Sequence, residues 1–196
     1  MQYQQIIAVD TETAGFGSAP VIEIGACKMK KGDPTRTYFN AIVKYDPLTL
    51  PHFEASRKVH GITPEMLLGG ILKAEAFLRF FEFLEVDKHT LFVGHNSIQF
   101  DNSRLNEGLV PHKFQIQNMH SCDTMLVLQN ELKYGKCPTF TNLSSAIQRG
   151  VKTNLAVAAQ HYGVEHDTTK AHRAEYDAEL SLNIFFKQKI KHAWQL

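Results

Sequence analysis

The chain lacks most of the features that reveal a function from composition alone. It has three cysteines in 196 residues, Cys27, Cys122 and Cys137. An odd number with no CxxC pair argues against a disulfide or zinc framework and fits buried free thiols in a reducing compartment. The formal net charge is only +1 at pH 7. No general basic field therefore draws in a polyanion, and such a partner has to be held locally. No apolar run is long enough to span a bilayer, so no membrane partner is expected. The apolar run 6–9 is too short for a signal peptide and is cut by Asp10; the expected location is the cytoplasm. Repeats, low-complexity segments and clear linkers are also missing. What remains is an ordinary globular balance, 43% hydrophobic and 21% charged. It predicts one α/β domain over residues 1–196 with a core of its own.

The informative stretch is the first one. Ile6, Ile7, Ala8 and Val9 form a short apolar strand that ends in Asp10, Thr11 and Glu12. Side chains alternate along a strand, so Asp10 and Glu12 point the same way. Two like charges on one face are unfavourable unless something positive sits between them. A hard divalent cation with oxygen ligands meets that need, and so does a solvated turn.

Downstream, 21–27 and 36–43 read as two more strands, joined by a hairpin turn at 30–34. The lysines of that region, Lys28, Lys30 and Lys31, read as a solvated cluster. Residues 45–59 contain Pro47 and Pro51 and read as an extended loop. Thr63 and Pro64 begin a short helix that Gly69 and Gly70 end. The segment 74–84, with four phenylalanines, reads as a core helix. Short strands at 91–94 and 120–122 precede helices at 102–107 and 124–132. Residues 133–138 read as a loop, 141–148 as weakly helical and 154–162 as a helix capped by Gly163. After a polar loop at 165–171, 175–190 reads as a long helix with Tyr176, Leu180, Ile184 and Phe185 inward.

Two further acids occupy comparable places. Asp101 follows a buried strand and opens a helix, where a simple capping role is common. Asp177 lies five residues after His172. On one helix these two would diverge by about 140°. They converge only if His172 stays on the loop and Asp177 sits in the first turns of the helix.

Taken together, Asp10-x-Glu12, the His95-Asn96 to Phe100-Asp101 segment and His172 with Asp177 resemble the three motifs of the DEDDh 3′→5′ exonucleases. That group belongs to the ribonuclease H-like superfamily, and the similarity runs from residue 6 to about 186. The resemblance implies a central mixed five-stranded sheet, an antiparallel meander plus parallel strands, flanked by helices. It also implies that Asp10, Glu12, Asp101 and Asp177 hold two Mg²⁺ or Mn²⁺ ions. His172 is then the general base, a task suited to an imidazole that titrates near neutral pH. The implied substrate contacts are Thr13 and Ala14 through backbone N–H groups, Phe16 stacking on the last base, and His60 and Ile62 on its other side. Asn96 orients the phosphate or braces Asp101. For Phe16, stacking and core packing stand as equal alternatives.

Within the group the signals are mixed. Residues 12–16 look like ribonuclease T, and 59–63 like the proofreading subunit of the replicative polymerase. The longer spacing of 95–101 is similar to exonuclease I, although the accessory domains of that enzyme are missing from this chain. The expected reaction releases nucleoside 5′-monophosphates from single-stranded DNA 3′ ends. Exoribonuclease action of the ribonuclease T or oligoribonuclease type is the alternative. A module that only binds strand ends or a polymerase is the non-enzymatic one. Association with a polymerase subunit or a homodimer stays open.

Overall fold

Alternating apolar side chains in the first third of the chain build three long strands. These are β1 (Gln5–Thr13), β2 (Val21–Lys30) and β3 (Arg36–Ile42), paired as an antiparallel meander. Two short buried strands, β4 (Thr90–Gly94) and β5 (His120–Asp123), extend it in parallel on the other side of β1. The order β3-β2-β1-β4-β5 is the mixed sheet expected from the sequence. The structure is a computed structural model describing residues 3–15, 17, 19–85, 89–146 and 150–196.

The period of two along β1 decides what each face meets. Ile7 and Val9 face a core shared with Ile24 and Ala26, covered by Phe77, Phe80 and Leu84 and by Leu105 and Leu109. Those residues belong to α3 (Lys73–Leu84) and α4 (Asp101–Leu109). The remaining phenylalanines of α3, Phe81 and Phe83, pack against the same cluster. Ile6 and Ala8 face the opposite side with Cys27, Leu91, Val93 and Cys122. That side is covered by Ala178, Leu182 and Phe185 of α7 (Ala174–His192) and by Val127 of α5 (Thr124–Tyr134). Leu180 and Ile184 of α7 turn instead toward α6 (Leu155–Tyr162), with Tyr176 packed at the edge. All three cysteines are free and buried.

Several segments differ from the expectation. β1 does not stop where the apolar run ends at Val9 but continues through Asp10 and Glu12 to Thr13. Residues 45–59 are not one loop. Asp46 caps a 3-10 turn over Pro47–Thr49, and α1 (Phe53–His60) follows, anchored by buried Phe53 and His60 at its two ends. The two prolines precede this helix rather than interrupt it. Then α2 (Pro64–Gly69) starts on Thr63, whose side chain accepts from the Met66 N–H as expected. Lys28 is not solvated: it is buried and donates to the Phe83 carbonyl and the Glu85 carboxylate. Lys133 and Tyr134 still belong to α5. Residues 141–146 are not helical. Side-chain bonds from Asn130 to the Ser144 carbonyl and from Ser145 to Gln129 tie that stretch to α5 instead. Residues 147–148 of the expected helix lie outside the described residues.

One close approach sets the position of α7. A Cβ on Gly25 would meet the Ala174 carbonyl carbon at 2.0 Å and the Glu175 nitrogen at 2.1 Å. The first turn of α7 therefore lies directly on the β2 backbone, beside the position where Gly25 pairs with Asp10. Gly25→Ala is expected to push α7 off the sheet and lower stability by about 1–3 kcal/mol, as overpacking does. Urea unfolding of the variant checks this; an unchanged midpoint would contradict it.

Candidate active site

The site stands where β1 outruns its neighbour. β4 pairs with β1 only from Gln5 to Ala8, so the stretch from Val9 onward is open on that edge. By alternation Asp10 and Glu12 continue the Ile6–Ala8 face, toward α7, while Thr11 points to the α4 side. Thr11 Oγ1 donates to Asp101 Oδ1 at 2.5 Å. This bond ties the first residue of α4 to β1.

The turn that delivers Asp101 is held by a second buried acid. Asp123, at the end of β5, accepts from the N–H groups of Asn96 at 2.9 Å and Ile98 at 3.3 Å. The same carboxylate caps α5 by accepting from the Met125 and Leu126 N–H groups. Asn96 itself has φ +63°, a left-handed conformation uncommon for a residue with a side chain. Half-buried His95 is bonded to Thr124 Oγ1 and the Thr153 carbonyl, and loss of hydration pulls its pKa down to about 4. It is a neutral structural ring.

At the other side of the site, His172 does stay on the loop and Asp177 does lie in the first turns of α7. Ligand atoms of half-buried Glu12, exposed His172 and buried Asp177 lie within 4.8 Å of one another. His172 has φ +61°, and its backbone N–H donates to Asp177 Oδ2 at 3.1 Å. The other oxygen, Asp177 Oδ1, is buried without a hydrogen-bond partner. A buried carboxylate oxygen left unpaired is costly. It belongs to a residue of a cluster whose donors suit a hard divalent cation.

The electrostatics agree. Burial first, then the charges of Asp101, Glu12 and Asp177, hold the Asp10 carboxyl well above its ordinary range. Burial and the Asp177 charge push Glu12 up to about 9. Burial raises Asp101 to about 7, against the lowering effect of the Thr11 hydroxyl. Burial raises Asp177 to about 6. These acids crowd one another, which is the condition a bound cation relieves.

The expected substrate contacts fare differently. The Ala14 N–H is already donated to the Pro20 carbonyl, and Thr13 is buried with its hydroxyl on the Gly15 carbonyl. Ile62 is fully buried in a cluster with Phe53 and Leu67. His60 is buried too: its Nδ1 accepts from the Ile62 N–H and its Nε2 meets Ser56 Oγ. Both side chains are therefore taken up in packing and internal hydrogen bonds. Phe16 lies outside the described residues. Asn96 is half-buried, and its backbone N–H is held by Asp123. Sequence reasoning missed Thr11, Asp123 and Glu23. Of these, Glu23 carried a signal, as the one acid inside an otherwise apolar strand.

Comparison with known proteins agrees with this geometry. A family model described as Exonuclease, RNase_T, matches residues 7–185. The PolC-type DNA polymerase III of Pediococcus pentosaceus is 28% identical over 178 residues, covering 88% of this chain and 10% of the polymerase. The chain thus spans about a tenth of the PolC-type polymerases it matches. Ribonuclease T of Shewanella denitrificans is 26% identical over 194 residues, covering 91% of this chain and 77% of that protein. The zinc-bound complex of E. coli exonuclease I with single-stranded DNA superposes with a TM-score of 0.75 at 16% identity. That match covers 97% of this chain and 41% of exonuclease I, and it supports the fold. With a family model spanning nearly the whole chain and the three acidic motifs brought to one end of the sheet, the chain belongs to the RNase_T exonuclease family, the DEDDh 3′→5′ exonucleases its motifs resemble.

Proposed function

We propose that this chain hydrolyses nucleic-acid 3′ ends in the 3′→5′ direction, releasing nucleoside 5′-monophosphates, with single-stranded DNA as the preferred substrate. The observation that carries the proposal is the meeting of Glu12, His172 and Asp177, the last with one carboxylate oxygen buried without a partner. Asp10, Glu12, Asp101 and Asp177 would hold two Mg²⁺ or Mn²⁺ ions. Such ions, when bound, lower the pKa of a water and stabilise charge on a leaving oxygen.

The chain's own groups supply the rest. Asp101 is held by Thr11, and Asp177 is anchored through Oδ2, so its free Oδ1 keeps a fixed direction. His172 takes the proton of the attacking water on a ring nitrogen. Its exposure lets the proton pass on to solvent, and its loop position lets it engage as a strand end arrives. The single-strand preference rests on the likeness to exonuclease I, which is seen with single-stranded DNA. A second reading, RNA ends, is favoured by the ribonuclease T relative, of which the chain covers 77%. The 2′-OH is the handle that separates the two.

End-labelled DNA and RNA, single- and double-stranded, with and without Mg²⁺, test the proposal. Mononucleotide release from single-stranded DNA that stops with EDTA is expected. No release from any strand would refute it. Asp10→Ala is expected to abolish release while the fold persists by circular dichroism. His172→Ala should lower kcat by about 10²–10⁴-fold, as loss of a general base does, while Mg²⁺ affinity by titration calorimetry changes far less. Full rate in that variant across pH would remove His172 from the role.

Stability should follow the same charges. The four acids keep protons in the folded state that the unfolded chain has already lost, so folding weakens as pH rises. In EDTA, Tm is expected to fall from about pH 4 upward, through Asp177 at about 6 and Asp101 at about 7 to Glu12 at about 9. Saturating Mg²⁺ should flatten that fall by stabilising the ionised forms. Asp177→Asn should raise the EDTA Tm near neutral pH by about 2–4 °C, equivalent to about 1 kcal/mol at this size. Thermal scans across pH, with and without metal, check both expectations.

A further inference from the structure

Glu23 is the most deeply buried acid near the site, with no exposed side-chain surface. It stands opposite Glu12 in the β1–β2 register. Directly opposed like charges destabilise a sheet. An unpaired buried carboxylate would add a further penalty. Arg173 removes both problems. Its Nε donates to Oε1 and Oε2 of Glu23 at 3.2 Å each, and its Nη2 donates to Oε1 at 2.7 Å. Asn40 Nδ2 also donates to Oε1 at 2.8 Å. The remaining donor is the backbone N–H of Ala174, which reaches Oε2 at 3.1 Å.

That last bond gives the pair its consequence. Arg173 is the N-cap of α7 and makes no side-chain cap of its own. A carboxylate from β2, 151 residues earlier in the chain, receives the N–H of the first helical residue instead. Acidic groups at a helix start also suit the helix dipole. His172 immediately precedes this anchor, in the left-handed conformation, with its N–H on Asp177. Strained backbone of this kind persists only where its surroundings over-determine it. On one side of His172 the constraint is Asp177; on the other it is Glu23.

We propose that the Glu23–Arg173 pair is a positioning device of the active site, fixing where His172 and the first turn of α7 stand relative to Glu12. This rests on the exonuclease reading given above. Arg173 touches no reacting atom in this role. Its charge also offsets Glu23, so Asp10, Glu12, Asp101 and Asp177 remain the charge available to cations.

The test compares Glu23→Gln, Arg173→Ala, Arg173→Lys and the Glu23→Gln/Arg173→Ala double variant in the full chain. Each single change is expected to lower kcat by about 10–100-fold, the range for groups that orient a metal site, with KM little changed. Arg173→Lys keeps the charge but loses the two-pronged contact, so it should not restore kcat. The double variant should lose no more than the worse single, because the two residues act as one unit. Amide hydrogen exchange supplies a readout independent of turnover: exchange at 165–174 should rise while the sheet is unchanged. A higher KM at unchanged kcat would make Arg173 a substrate contact and overturn the proposal. So would a loss that merely tracks the unfolded fraction, or unaltered exchange at 165–174. If the wild-type chain released no nucleotide, the exonuclease reading would fail, and the exchange result would still judge the clamp.

Discussion

The structure depends on the repulsion between carboxylates gathered at one end of a sheet. Asp10, Glu12, Asp101 and Asp177 come from β1, α4 and α7, and each is raised above the ordinary carboxylate range chiefly by burial. A folded chain does not collect such groups for its own stability, since each loses hydration and gains a like-charged neighbour. The core has to hold them together. Apolar packing on both faces of β1 does so, with α3 and α4 on one side and α5 and α7 on the other. Perturbed acids of this kind cluster at functional sites more often than elsewhere, and their physical cause here is explicit.

Strand alternation turns that core into a site. Ile6 and Ala8 bury against α7, so the same face further along presents Asp10 and Glu12 toward the first turn of the same helix. The parallel strands β4 and β5 stop short and release their chains at this end, which is where open α/β sheets place their ligands. The β4 exit carries Asp101 and the β5 exit carries Asp123. Gly25 then lets α7 come down onto β2. Any side chain there would lift His172 and Asp177 away from β1 together.

The parts legible in the sequence were those encoded over a few residues. The Asp-x-Glu alternation, the Thr63-Pro64 start of α2 and the Gly163 cap of α6 are local, and the structure has each of them. The separation of His172 from Asp177 was likewise resolved by one turn of helix arithmetic. What the sequence concealed was set by distant partners. Lys28 looked like part of a solvated turn but finds Glu85 and the Phe83 carbonyl, 57 and 55 residues away. His60 and Ile62 looked like base contacts because of their motif, yet packing against Phe53 and Leu67 buries them. α1 was hidden because its middle is polar and only its ends are anchored. Glu23 was visible as an acid in an apolar strand, but its partner lies 150 residues on.

The buried acids of this molecule divide by how fully their oxygens are satisfied, and the division separates architecture from chemistry. Asp123 receives four backbone N–H groups, from Asn96, Ile98, Met125 and Leu126. Glu23 receives Arg173, Asn40 and the Ala174 N–H. Each binds a loop that contains a left-handed residue, Asn96 or His172, to the start of a helix. Both are saturated with donors, so neither has a reason to recruit a cation. Asp177 is the reverse case: one oxygen is spent on the His172 N–H and the other is buried with no partner. Buried carboxylate oxygens are usually paired, so an unpaired one beside other acids calls for an explanation. The saturated acids give the loops their shape, and on the reading proposed above the unsatisfied one is left free to meet a cation.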